Sequence, residues 1–160
     1  MDFSSFFDYP NQDSDDETEA LVFLGAGSEE DWQILLAHTE LYRFSPGDVV
    51  IQRGVQERSL YLIAAGTFEV LVPRTGGQDV RRLALAETGT VIGEQSFLDG
   101  QPHSADVRAV TDGEVFRLTF EAFETLSARE PDLAHEILFD LGRILSARLR
   151  QTTQIVSAQG

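Results

Sequence analysis

Side chains able to do chemistry are thinly spread in this chain, and their densest group falls in the run Gly93–Val107. Within it Glu94, Gln95, Ser96, His103 and Ser104 offer a carboxylate, an amide, two hydroxyls and an imidazole. Neither a nucleophile–base constellation nor a glycine-rich triphosphate loop can be assembled from the sequence. Metal chemistry is short of ligands as well. There is no cysteine, and the only histidines are His38, His103 and His135. His38 and His135 fall on expected helices or their ends, so no two histidines share a strand, whereas a cupin-type metal centre clusters histidines and carboxylates. The inventory points to recognition without catalysis and without a metal.

The bulk composition restricts what is recognised. At 160 residues, 42% of them hydrophobic, the chain suits one domain able to bury a single core. Net charge is −15, from 27 acidic residues and 12 arginines. Ten of the acids lie in residues 1–31, which hold no base, leaving 17 acids against 12 arginines in the remainder. Nucleic-acid affinity needs a basic footprint, so DNA binding by this chain alone is not expected. No apolar run approaches the ~20 residues that span a bilayer. The start Met1-Asp2-Phe3 lacks the basic-then-apolar layout of a secretory signal. The expectation is a cytoplasmic protein without a membrane role.

Residues 1–27 read as a disordered acidic tail, because Asn11–Ala20 is polar, acidic and without periodicity. Phe3, Phe6, Phe7 and Tyr9 interrupt it. The three phenylalanines have the i, i+3, i+4 spacing of a helix face that docks in a partner's groove. Equally, these rings can cover an apolar patch on their own chain.

Residues 28–150 read as the folded domain. Ser28, followed by Glu29, Glu30 and Asp31, is an N-cap signal for a helix burying Trp32, Leu35 and Leu36. Eight short strands follow, near Leu41–Phe44, Val49–Gln52, Ser59–Ala64, Thr67–Val72, Val80–Ala86, Val91–Ile92, Ala105–Val110 and Gly113–Leu118. Ser45-Pro46-Gly47-Asp48, Ala65-Gly66, Thr75-Gly76-Gly77 and Asp112-Gly113 punctuate them. A βαβ sheet would need long helical crossovers, which are missing. The pattern predicts a mainly β fold, a jelly-roll-like β-barrel with helical ends.

From Phe120 the period turns helical. One helix is expected near Glu121–Arg129, and a long one from Pro131 to about Arg150, with 151–160 a flexible C-terminus. Ala134, Leu138, Leu141 and Leu145 follow a 4-3-4 spacing beside a second stripe of Leu133, Ile137 and Ile144. That arc exceeds one contact surface. One stripe can pack on the barrel while the other meets a twin helix in a homodimer, or both can serve one thick core contact. Gly142, unfavourable in a helix by ~1 kcal/mol relative to alanine, fits close approach of another backbone or is merely tolerated by packing.

Three blocks in order resemble the cyclic nucleotide-binding domain family, to which the catabolite activator protein and the regulatory subunit of cAMP-dependent kinase belong. Phe44-Ser45-Pro46-Gly47-Asp48-Val49-Val50 is similar to the family's entry into the barrel. Leu60-Tyr61-Leu62-Ile63-Ala64-Ala65-Gly66-Thr67-Phe68-Glu69-Val70 resembles its Leu-Tyr-x-Ile-x-x-Gly hairpin. Gly93-Glu94, then Ser104-Ala105-Asp106-Val107, resemble its phosphate-binding cassette. The likeness covers about residues 28–150.

The resemblance implies a cyclic nucleotide ligand and a site of Gly93, Glu94, Gln95, Ser96, His103, Ser104 and Ala105. It implies that Glu94 accepts from the ribose 2′-hydroxyl, while Ser104 and the Ala105 N–H donate to the phosphate. N–H groups of a short helix after Gly93-Glu94 can cradle such an anion. One position departs. His103 stands where the family has the arginine that grips the phosphate through two parallel charged hydrogen bonds. An imidazole is shorter, offers one donor per nitrogen and is mostly uncharged at pH 7. Losing such a pair costs on the order of 2–4 kcal/mol, or ~30–1000-fold in affinity. Arg58 and Arg108 do not obviously replace it, Arg108 being five residues along a strand and so on the opposite face.

Two functions stay open for a non-enzymatic, stand-alone regulatory domain. It binds a cyclic nucleotide weakly, or a different ligand, or else its pocket is vestigial and it persists as a dimerising, partner-binding module. His103 itself reads either as a phosphate donor or as a solvated loop histidine.

Overall fold

The computed structural model describes residues 21–76 and 79–158. The aromatic motif Phe3, Phe6, Phe7 and Tyr9 lies outside the described residues. Helix α1 (Glu29–Ala37) opens with the expected cap: Ser28 Oγ accepts from Asp31 N at 3.1 Å, and Asp31 Oδ2 accepts from Ser28 N at 3.2 Å. This reciprocal bonding satisfies two groups that a helix start otherwise leaves unpaired.

Eight strands follow: β1 (Glu40–Phe44), β2 (Val49–Ile51), β3 (Ser59–Ala65), β4 (Phe68–Pro73), β5 (Val80–Ala86), β6 (Val91–Ile92), β7 (Asp106–Ala109) and β8 (Gly113–Thr119). They pair antiparallel in two four-stranded sheets, ordered β1-β8-β3-β6 and β2-β7-β4-β5. This is the jelly-roll arrangement anticipated from the turn spacing. The alternation of β3 explains its continuous burial. Tyr61 and Ile63 point between the sheets with Phe68, Ile92, Val107 and Val115, while Leu60 and Leu62 point to the helical side.

Three further helices complete the described residues: α2 (Glu94–Asp99) between β6 and β7, then α3 (Phe120–Arg129) and α4 (Pro131–Ala158). Leu133, Ala134, Ile137, Leu141 and Ile144 of α4 join Trp32, Leu35, Phe123 and Leu126 in the core on the outer face of the β1-containing sheet.

Three expectations need correction. Residues 21–27, assigned to the tail, belong to the domain. Phe23 and Leu24 are core residues, Phe23 stacks edge-on to Trp32 at 6.1 Å, and Leu24 N donates to Asp140 Oδ2 at 2.5 Å. The last helix does not end near Arg150 but continues to Ala158, taking in most of the expected flexible C-terminus. Finally, the stripe Ala134, Leu138, Leu141, Leu145 does not present one face. Ala134 and Leu141 are buried in this chain's own core, Leu145 is half-buried and Leu138 is exposed. The exposed large apolar residues of α4 are instead Leu138, Phe139, Leu149, Ile155 and Val156.

Candidate ligand-binding site

The run Gly93–Val107 makes a turn that only glycine can start. Gly93 has φ +80°, and a Cβ there would lie 2.9 Å from the carbonyl oxygen of Ser59. The chain then winds into α2 and leaves it at Gly100, φ +71°. Arg58 fixes the far end of this helix: its Nε and Nη2 donate to the carbonyls of Phe97 and Leu98 at 2.7 and 2.9 Å, and its guanidinium stacks 3.6 Å from the Phe120 ring centre. Arg108 serves elsewhere too. It pairs with Glu69 Oε1 at 2.7 Å while Arg82 takes Glu69 Oε2 at 2.9 Å, so both arginines hold the Glu69 carboxyl below the usual glutamate range. The guanidiniums of Arg58 and Arg108 are thus engaged elsewhere, Arg108 as its strand offset implied.

A cleft of 1370 Å³ opens beside α2. All seven residues of the expected site line it: Gly93, Glu94, Gln95, Ser96, His103, Ser104 and Ala105. Val70, Val72, Leu83 and Leu85 form an apolar wall from β4 and β5, and Leu83 and Leu85 are exposed because they face this opening. The cleft thus joins a polar floor to an apolar wall.

Individual residues are placed as follows. Glu94 is buried, and Ser104 Oγ donates to Gln95 Oε1 at 2.9 Å across the mouth of the turn. His103 is not a solvated histidine. It is 5% exposed, and its backbone N–H and carbonyl pair with Val55 O and Gly54 N at 3.0 and 2.9 Å. Its Nε2 is buried with no hydrogen-bond partner among the described residues, 3.8 Å from Glu57 Oε2. Glu57 Oε1 accepts from Tyr61 Oη at 2.7 Å and pairs with Arg117 Nη2 at 2.9 Å. Burial, reinforced by the bond to Glu57, pushes the Tyr61 phenol above the ordinary tyrosine range.

Sequence reasoning missed the side of the cleft that α4 supplies through Arg148, Gln151, Thr152 and Ile155. Arg148 forms an ion pair with Glu94, and its Nη2 donates to Val91 O at 2.7 Å and Thr90 Oγ1 at 3.3 Å. A signal for it existed. Ile137, Leu141 and Ile144 step by four and three residues, and the same steps lead to Arg148, Gln151 and Ile155.

A model of the cyclic nucleotide-binding domain matches residues 41–130, more than half of the chain. The chain belongs to the cyclic nucleotide-binding domain family. Among relatives, the cyclic AMP receptor protein of Thermus thermophilus is 33% identical over 130 residues, covering 81% of this chain and 57% of that protein. The cAMP-activated global transcriptional regulator CRP of Salmonella typhimurium is 31% identical over 122 residues, covering 76% and 56%. The chain thus spans about half the length of these curated relatives. A solved cyclic nucleotide-binding domain from Methylobacillus flagellatus superposes with a TM-score of 0.79 at 21% identity, covering all of this chain and 97% of that one, a likeness of fold. His103 and Arg148 both line this cleft.

Proposed function

We propose that this chain is a non-enzymatic regulatory domain that binds a cyclic nucleotide or a closely related anionic ligand in the cleft between α2 and α4, with affinity reduced by His103. The observation that carries this reading is the convergence of Gly93, Glu94, Gln95, Ser96, Ser104 and Ala105 on one cleft beside the start of α2. His103 limits the affinity because its Nε2 is turned toward Glu57, and a lone imidazole cannot make the paired contacts of a guanidinium. Output then passes through protein contacts: a homodimer along the exposed face of α4, and a partner docking on Phe3, Phe6, Phe7 and Tyr9.

Calorimetry with cAMP, cGMP and a cyclic dinucleotide, on wild type and His103→Arg, tests this. Weak wild-type binding, tightened ~30-fold or more by the arginine, is expected. Silence from the wild type with strong binding by the variant would move the reading to a vestigial pocket on an interaction module. Silence from both would remove the ligand from the account, and sub-micromolar wild-type binding would remove the role given to His103.

A further inference from the structure

An anion entering this cleft meets Glu94, a buried carboxylate at the first position of α2. Like charges in one cleft repel, so a cation there favours retention of the anion. The family position for that cation holds His103, whose Nε2 faces Glu57 instead.

The arginines around the cleft are all engaged, Arg148 included, through Glu94, Val91 O and Thr90 Oγ1, and they differ in where they sit. Arg58 is spent on the carbonyls closing α2, Arg82 and Arg108 on Glu69, and Arg117 on Glu57. Arg143 is held by Asp140 and by the carbonyl of Val22, at 2.7 and 2.6 Å. Among the described residues, Arg148 alone of these arginines both lines the cleft and touches the cassette, through Glu94.

We infer that Arg148 is the anion-anchoring residue of this cleft, supplying from helix α4 the guanidinium that the cassette lacks at His103. This rests on the ligand-binding reading and specifies its charge. Arg148 neutralises Glu94 in the unliganded protein, which keeps the buried carboxylate from standing alone. When a cyclic phosphate enters, the same guanidinium can turn part of its donor fork to the phosphate oxygens, since it has five N–H groups and Glu94 can accept from a ligand hydroxyl instead. A fork reaching from a different element does not duplicate the family's geometry. It predicts a cleft tolerant of anions placed differently from the family's phosphate.

The test titrates cAMP, up to ~10 mM and read by chemical-shift changes, into wild type, Arg148→Gln, Arg148→Lys, His103→Arg and the His103→Arg/Arg148→Gln double variant. Thermal melts verify that each is folded. Arg148→Gln is expected to weaken binding about tenfold or more, and Arg148→Lys, which keeps charge without the fork, to lose clearly less. In the His103→Arg background, removing Arg148 is expected to cost less than about threefold, because the cation has been restored. Equal losses for Gln and Lys mark a packing role and overturn the inference, as does unchanged or tighter binding by Arg148→Gln, the behaviour of a latch. A silent wild type beside a binding His103→Arg also overturns it, because Arg148 was present and did not suffice, while the cleft itself survives. Silence from His103→Arg as well removes the ligand-binding reading and this one with it.

Discussion

The buried His103 Nε2 stands 3.8 Å from Oε2 of the partly exposed Glu57, and the two are not hydrogen bonded. The separation is too long for a hydrogen bond, and among the described residues nothing else satisfies the ring nitrogen. A buried polar atom without a partner costs about 1–3 kcal/mol relative to a satisfied one. The ring's backbone pairs with Val55 and Gly54 do not depend on its side chain. His103→Leu is therefore expected to leave stability unchanged or to raise it by up to ~1 kcal/mol. Urea unfolding measures this, and a loss above ~1 kcal/mol would show that the nitrogen makes a bond, to water for example.

On the other oxygen of Glu57, Tyr61 gives a prediction in alkali. Its phenol is pushed above the ordinary tyrosine value of about 10, first by burial and then by the bond to Glu57. A group whose folded value is raised adds stability that is fully present below its unfolded value and disappears as pH rises through the folded one. The wild type should thus lose stability progressively above about pH 10. Tyr61→Phe should show a flatter alkaline limb and lose the highest-pH step in phenolate absorbance. Identical limbs in the two proteins would sink this account.

Acid behaves oppositely at Glu69. Arg108 and then Arg82 hold its carboxyl low, so its contribution is present above the unfolded value and is lost as pH falls through the folded one. Glu69→Gln should be less stable than wild type near neutrality, by an amount kept modest because both arginines are about half exposed. Unfolding curves taken at descending pH should draw together below the ordinary glutamate range. A gap that stays constant with pH would assign the loss to packing rather than charge.

Which of these relationships a reader of the sequence can anticipate depends on their range. The strands were legible because turn residues such as Ser45-Pro46-Gly47-Asp48 bound them and each is short. The cleft's floor was legible because Gly93, Glu94, Ser104 and Ala105 are local to one turn. The partner of Arg148 was not, since its meeting with Glu94 depends on how α4 crosses the jelly roll. Likewise Phe23 and Leu24 sit beside an acidic run, and their burial depends on a groove made by α1 and α4. The width of the apolar arc on α4 was readable, but not its rotation. Turning the helix to bury Leu141 and Ile144 leaves Leu138 and Phe139 outward.

That rotation decides where a second copy would meet this one. Phe139 is 73% exposed and lies beside Leu138 and Gly142, and a Cβ built on Gly142 meets nothing within 4 Å. Within one chain this glycine is therefore an avoidable loss, and Gly142→Ala should stabilise the isolated chain by about 1 kcal/mol. If two α4 helices pack across Gly142, the added methyl separates their backbones and weakens association. The same substitution is thus expected to raise stability at high dilution and to lower dimer affinity. Phe139→Glu should weaken the dimer more, by at least tenfold, while leaving the fold intact. By contrast Leu141→Glu, buried in the core, should unfold the chain rather than merely dissociate it. Sedimentation equilibrium with parallel thermal melts separates these outcomes. Dimers unaffected by both Gly142→Ala and Phe139→Glu would place the contact on another surface.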